Sequence, residues 1–298
     1  MNPINTILVK TLPLFPKKLV RVFANKYIAG DSIEDAVKTV QFLNSKNIMA
    51  TIDVLGESIK DRDEARKSKD ESLEVLDTIV KHKLDGNLSV KLTMIALAMD
   101  YDLCKSLFTE ILDSAKSKNI FVRIDMEDSS VTDITIKMYK EMRAKYDNVG
   151  LVLQAYMRRT EKDVLDLTQE KSNFRLCKGI YIEPEAIAFK GKQEIRDNFL
   201  KVLRIMFERN AYVGIATHDD FLTKGAEDIV REMKLEKDKF EFQVLLGVRE
   251  RLRDELVAKG YRMRSYVPFG KRWYQYSIRR FQENPNVAGQ VLKALFTR

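Results

Sequence analysis

Cysteine and histidine occur only twice each in this chain, as Cys104, Cys177, His82 and His218. Two cysteines cannot make a disulfide framework for a chain of this size. With no C-x-x-C pair and so few histidines, a zinc site is not expected either. Glycine (12) and proline (6) are too scarce for collagen-like or low-complexity structure, and 45% hydrophobic with 32% charged residues leaves little room for disorder. Long apolar runs are missing as well. Pro3, Pro13, Pro16 and several lysines interrupt the first thirty residues, so no signal-peptide core or membrane span of about 20 residues is present. The expected compartment is the cytoplasm.

What the chain does carry is positive charge, 52 Lys and Arg against 44 Asp and Glu, a formal +8. Such an excess suits nucleic acid, an anionic membrane or acidic ligands. Residues 1–30 hold Lys10, Lys17, Lys18, Arg21 and Lys26 with no acid, and residues 261–298 are nearly as one-sided, with Glu283 as their acid. No zinc-finger spacing, basic heptad or RNP-like aromatic octamer accompanies this charge, so nucleic acid is not expected as a partner. A helix over residues 17–28 would place Leu19, Val20, Phe23 and Tyr27 on one side and bases on the other. Packing on the domain is the simpler reading of that helix, and a membrane-surface helix the alternative.

A length of 298 residues fits two average domains, or one α/β barrel of roughly 250 residues with additions. The pattern decides. Eight β-rich runs recur: 50–57 (ATIDVLGE), 88–93 (LSVKLT), 120–127 (IFVRIDME), 149–156 (VGLVLQAY), 174–181 (FRLCKGIY), 212–219 (YVGIATHD), 240–247 (FEFQVLLG) and 262–270 (RMRSYVPFG). Helical stretches follow them, such as 61–84, 101–118, 130–145, 191–209 and 249–259. A doubly wound sheet alternates in the same way, but no G-x-G-x-x-G or G-x-x-x-x-G-K-[ST] opens any helix. The expected fold is a (β/α)8 TIM-like barrel over residues 49–298, preceded by a helical segment, 1–48. Within that segment a helix over 31–46 has Asp31 or Ser32 as N-cap, and a last helix over 285–296 follows the eighth unit.

Barrels place their chemistry at the C-terminal ends of the strands. Here those ends read Glu57, Lys91 with Thr93, Asp125 with Glu127, Gln154, Arg175 with Lys178 and Tyr181, Thr217 with His218, Gln243, and Tyr266. One charge flanked by apolar residues could be a structural ion pair, but seven or eight strands ending this way point to a ligand site. The acids come singly and His218 is alone, which does not suit a divalent metal. No serine or cysteine has an obvious base, and Cys177 reads better as a core residue than as a nucleophile. What remains is an array of donors and amides, suited to a large polar cofactor that brings its own chemistry. A helix over 272–283 adds Arg279 and Arg280, set about 100° apart and able to converge on one carboxylate or phosphate.

Motifs along nearly the whole chain resemble the flavin-dependent proline dehydrogenases of the monofunctional bacterial type. They are AGDSIEDA, TIDVLGES, SVKLT, VRIDMEDS, LVLQAYMRRT, RLCKGIYIEP, ATHD, FEFQVLLGVR and YVPFGKRWYQYSIRRFQEN, in the family's order from about Tyr27 to Phe296. The resemblance implies a distorted barrel holding FAD over the strand ends. It assigns the substrate carboxylate to Lys91, Arg279 and Arg280, and ring packing to Tyr266 and Leu245 with Tyr181 nearby. Asp125, Met126, Gln154, Arg175, Lys178, Gly179, Thr217, His218, Gln243 and Glu283 would hold FAD. Glu57 would pair with Arg279 as a gate. Ile180 stands where many members have alanine, and Asp219 where some have asparagine.

The implied reaction is oxidation of L-proline to Δ1-pyrroline-5-carboxylate by hydride transfer from C5 to flavin N5, the first step of proline catabolism. No protein nucleophile is required. Electrons would pass to a membrane quinone, with the basic N-terminus suited to peripheral contact at the inner face of the membrane. The length leaves no room for the aldehyde dehydrogenase domain of bifunctional relatives, so a separate pyrroline-5-carboxylate dehydrogenase would act next. Tyr266 would crowd a 4-hydroxyl group, which favours proline over hydroxyproline. The alternatives are a hydroxyproline dehydrogenase or another anion-binding barrel enzyme.

Overall fold

Eight parallel strands, taken up in chain order, close on themselves as a barrel. The computed structural model describes residues 21, 24–56, 59, 61–274, 276 and 277. The strands are β1 (Met49–Val54), β2 (Gly86–Val90), β3 (Val122–Ile124), β4 (Val149–Gln154), β5 (Asn173–Cys177), β6 (Tyr212–Ala216), β7 (Phe240–Leu245) and β8 (Met263–Phe269). β8 pairs with β1 from Met49 beside Arg264 to Val54 beside Phe269, which seals the cylinder. Helix α1 (Ile33–Asn44) precedes the barrel. Helices α2 (Arg62–Lys81), α3 (Tyr101–Ser117), α4 (Ser129–Arg143), α5 (Thr160–Leu167), α6 (Lys192–Glu208), α7 (Asp220–Glu232) and α8 (Glu250–Ala258) follow β1 to β7 in turn. The (β/α)8 expectation holds.

Period two along each strand separates two environments. Ile52, Val90, Ile124, Leu151, Phe174, Ile215, Phe242 and Val267 face the helices and share one apolar core with Val75, Phe108, Phe199 and Leu222. Each such side chain contributes about 1.5–3 kcal/mol by leaving water. The alternate positions fill the lumen with polar groups, among them Thr51, Asp53, Arg123, Arg175, Glu241 and Arg264, all buried. Two glycines make room for them. A Cβ on Gly150 would lie 2.6 Å from Arg123 Nη1, and one on Gly214 would lie 2.3 Å from Gln243 Nε2.

Of the two candidate N-caps for α1, Ser32 takes the position. Its hydroxyl accepts from the Asp35 amide at 3.3 Å while the Asp35 carboxylate accepts from the Ser32 amide at 3.2 Å, a capping box. Ahead of it, Ala24, Tyr27 and Ile28 are buried, and Ala29 N donates to Pro268 O at 2.9 Å. The described end of the expected 17–28 helix therefore packs on the domain. Several strands end earlier than expected, at Val90, Ile124, Cys177 and Ala216 rather than at Thr93, Glu127, Tyr181 and Asp219. Beyond the rim the chain turns toward the next helix, and Lys91 already precedes a 3-10 turn, Leu92–Ile95. Trp273, Tyr274, Tyr276 and Ser277 are helical, as expected. The rest of that helix and the one over 285–296 lie outside the described residues.

Candidate active site

A cleft of about 1090 Å³ opens at the C-terminal ends of the strands, slightly above the usual range for ligand sites. Its inner end is a buried charge cluster. Lys91, directly after β2, donates to Asp53 Oδ1 at 2.7 Å and to the Tyr266 hydroxyl at 3.2 Å, and pairs with Asp125 Oδ2 at 3.4 Å. Tyr266 donates in turn to Asp125 Oδ2 at 2.8 Å, and Ser89 donates to Oδ1 at 2.7 Å. Arg175 on β5 crosses the lumen, its Nη1 2.9 Å from Asp125 Oδ1 and its Nη2 3.4 Å from the Thr51 hydroxyl on β1.

Burial opposes the charge on Lys91, yet Asp53, Tyr266 and Asp125 hold its ammonium well above the usual lysine value. Asp125 is likewise buried, but Lys91 and Arg175 bring its carboxyl below the ordinary range. Burial and then Asp125 and Asp53 push the Tyr266 phenol well up, so it stays a donor. Asp53 Oδ2 is buried without a hydrogen-bond partner among the described residues.

Below this cluster a second chain fixes Arg175. Its Nε donates to Gln243 Oε1 at 2.6 Å, and Gln243 Nε2 donates to Glu241 Oε1 at 2.6 Å. Glu241 accepts further from Arg264 Nε at 2.6 Å and from the Tyr212 hydroxyl at 2.8 Å. The carboxylate therefore sets which way the Gln243 amide points, and through it the guanidinium of Arg175.

The remaining sequence-predicted residues line the same cleft. Met126 and Leu245 supply apolar wall, and Gln154 is held by donation to Glu127 O at 2.9 Å. Gly179 has φ +106 and lies against the Tyr156 ring, where a Cβ would come within 2.1 Å, so only glycine fits. Thr217 is buried and accepts from the Asp219 amide at 3.2 Å. His218 Nε2 accepts from Leu245 N at 3.0 Å, which places the proton of the neutral ring on Nδ1. Tyr181 and Lys178 complete the wall on the β5 side. Cys177, expected in the core, is half-buried and lines the cleft floor instead, with its thiol pushed up to about 11 by burial, which does not suit a nucleophile. Glu57, Arg279, Arg280 and Glu283 fall outside the described residues.

Other cleft residues escaped the sequence reading. Lys26 and Tyr27 come from the segment ahead of α1, and Arg196 and Phe221 from the N-terminal parts of α6 and α7; Asp53, buried in mid-strand beneath the cleft, joins the site through its contact with Lys91. For Asp53 the signal was present, since Thr51 and Asp53 alternate with Ala50, Ile52 and Val54 and so face the lumen. A smaller hollow of about 360 Å³ between α4 and α5 is lined by Asp133, Lys140, Arg159, Lys162 and Asp163. Arg159 closes on Asp133 and Asp163 there, at 2.6 and 2.7 Å.

The family model described as proline dehydrogenase matches residues 36–293. "Proline dehydrogenase 1" of Bacillus subtilis subsp. natto is 38% identical over 290 residues, spanning 97% of this chain and 96% of that protein. "Proline dehydrogenase" of Deinococcus radiodurans is 31% identical, spanning 91% and 89%. Among solved structures, proline utilization A from Bdellovibrio bacteriovorus, inactivated by N-propargylglycine, superposes with a TM-score of 0.84 at 25% identity over 90% of this chain. This chain spans about a third of that longer protein, 33% of its length. A polar-lumened barrel whose Lys91, Asp125, Arg175 and Tyr266 meet at one end of a cofactor-sized cleft thus sits on a chain that belongs, by sequence over nearly all its length, to the proline dehydrogenase family.

Proposed function

We propose that this enzyme oxidises L-proline to Δ1-pyrroline-5-carboxylate with FAD bound along the cleft, and that quinone takes up the electrons. The observation that carries this reading is the inner cluster, where a lysine held in its charged form and a tyrosine held as a donor face a cleft of cofactor size. The donor set fits a flavin dinucleotide: amides and cations for its polar edge and phosphates, Met126, Val152 and Leu245 for its rings, and backbone access at Gly179. Asp125, Met126, Gln154, Arg175, Lys178, Gly179, Thr217, His218, Gln243 and Glu283 would hold it. When bound, FAD supplies the acceptor for the hydride that leaves proline C5.

The side chains themselves bind and orient. Lys91, joined by Arg279 and Arg280, would fix the substrate carboxylate, and Tyr266, Leu245 and Tyr181 would pack on the pyrrolidine ring. Glu57 would pair with Arg279 to close the cleft over the substrate. Such fixed orientation removes much of the entropic barrier to transfer. Among the described residues no helix is long and apolar enough to cross a membrane. Access to quinone would be peripheral, a reading supported by the five bases without an acid in residues 1–30, which suit contact with an anionic surface. One experiment tests the reading. The purified protein should be yellow, and L-proline should bleach it under anaerobic conditions. A colourless protein, or colour that L-proline leaves unchanged, would refute it.

A further inference from the structure

Cations in the cleft differ in how far they are already used. Lys91 and Arg175 at the inner end are matched by Asp53 and Asp125 within 2.7 to 3.4 Å. Toward α6 and α7 the balance changes. Lys178, Lys192, Arg196 and Arg249 line the outer end against Asp219 and Asp220. Arg249 closes on Asp220. Arg196 is gripped from two sides: its Nε and Nη2 donate to the two oxygens of Asp219 at 3.0 and 2.7 Å, and its guanidinium lies over the Phe221 ring at 4.7 Å. Lys178 shares the same Asp219 at 3.4 Å.

A side-on pair of this kind consumes two of the five guanidinium N–H groups. No described residue accepts from Arg196 Nη1, and the side chain lines the cleft. Asp219 itself is anchored as the N-cap of α7, accepting from Phe221 N at 3.2 Å, so the guanidinium it holds has a fixed direction. A cation locked in place with unused donors is prepared to receive an anion, because little side-chain entropy remains to be lost on binding.

We infer that Arg196, held by Asp219 and assisted by Lys178, is the residue that takes the diphosphate of the flavin dinucleotide. The inference deepens the proposed FAD reading and rests on it. It also gives Asp219 a role, as the carboxylate that orients the arginine rather than as a group facing the cofactor.

The test measures flavin release from purified holoprotein by the rise in flavin fluorescence on dilution, together with competition by ADP, which carries the diphosphate without the ring, and by riboflavin, which carries the ring without the diphosphate. Arg196→Met should weaken FAD about ten- to a hundredfold, the scale of a charge-assisted hydrogen bond. The inhibition constant of ADP should weaken with it, while that of riboflavin stays within about twofold. Arg196→Lys, which keeps the charge and loses the fork, should fall between. Unchanged FAD release, or equal weakening of ADP and riboflavin, would overturn the inference and leave the cofactor reading intact. A wild-type protein that carries and binds no flavin would overturn both.

Discussion

Glu241→Gln is the substitution whose consequence can be worked furthest. The carboxylate is 2% exposed and accepts from Arg264 Nε and Nη2 at 2.6 and 3.1 Å, from Tyr212 and from Gln243. Glutamine keeps one acceptor oxygen but turns the other into an N–H donor and removes the charge, which leaves the buried Arg264 with neutral oxygen partners, among them Ala50 O at 2.8 Å. Breaking a buried pair in this way costs about 3–5 kcal/mol. Titration gives a consistent figure. Burial would raise the carboxyl, but Arg264 dominates and brings it from 4.5 down to about 2, a difference of about 3 kcal/mol at neutral pH. Because the folded value lies below the unfolded one, this stability is present above pH ~4.5 and is lost as pH falls toward 2. At about 2–4 °C per kcal/mol for a large domain, the melting midpoint at pH 7 should fall by about 6–20 °C. Arg264→Met supplies the opposite sign. Without the arginine, burial raises the Glu241 carboxyl above its unfolded value, so the variant should lose less stability at pH 5 than at pH 7. Denaturant titrations of both variants at the two pH values measure this. A loss under about 1 kcal/mol for Glu241→Gln, or no pH difference for Arg264→Met, would refute the reasoning.

Gly214→Ala tests the space around Gln243: with a Cβ 2.3 Å from Nε2, the amide must leave Glu241 or Arg175. Overpacking should cost about 1–3 kcal/mol in denaturant titration and the protein should retain less flavin on dialysis, whereas wild-type values for both would argue against a strict fit. Lys91 should stay charged throughout ordinary assay conditions, since Asp53, Tyr266 and Asp125 outweigh its burial. The dissociation constant of a five-membered cyclic carboxylate with no titratable amine should then show no lysine ionisation between pH 6 and 10, and a break near pH 8 in wild type that disappears in Lys91→Arg would contradict this.

The strands were legible because burial on the helix-facing side forces period two on each of them. The lumen residues were legible for a less usual reason. A charge between apolar neighbours within a parallel strand or directly after it, as at Arg175, Lys91 and Asp125, has no ready solvent-facing explanation, whereas Lys178, one residue past β5, is partly exposed. Asp53 carries the same signature, but it lies in mid-strand, away from the strand end where a barrel's chemistry is expected. Its role appears only once Lys91, 38 residues later in the chain, is set opposite it. Arg196 and Phe221 could not be read at all, since each looks like an ordinary surface residue on an amphipathic helix, and only the juxtaposition of α6 with α7 brings them together. Lys26 and Tyr27 were assigned to an outer helix, and their place in the cleft wall depends on the close approach of Lys26 O to Gly247.

Charges inside the barrel largely cancel at its inner end. Lys91 and Arg175 are balanced by Asp53 and Asp125, and Arg264 is balanced by Glu241. Arg123 spends its donors on Leu151 O and on Asn173, neutral groups, and lies deeper. An inner end that is already neutral offers a carboxylate little net attraction, and in a poorly hydrated site an uncompensated anion is expensive. A substrate carboxylate placed beside Lys91 would therefore call for further cations from outside the barrel. Residues 261–298 are the part of the sequence with such a surplus, and Arg279 and Arg280 are the members of it that the family resemblance assigns to this task. On this reasoning the lysine supplies position and the arginine pair supplies most of the charge. Arg280→Met should then raise KM for proline more steeply than Lys91→Arg does, and the reverse order would place the dominant attraction inside the barrel.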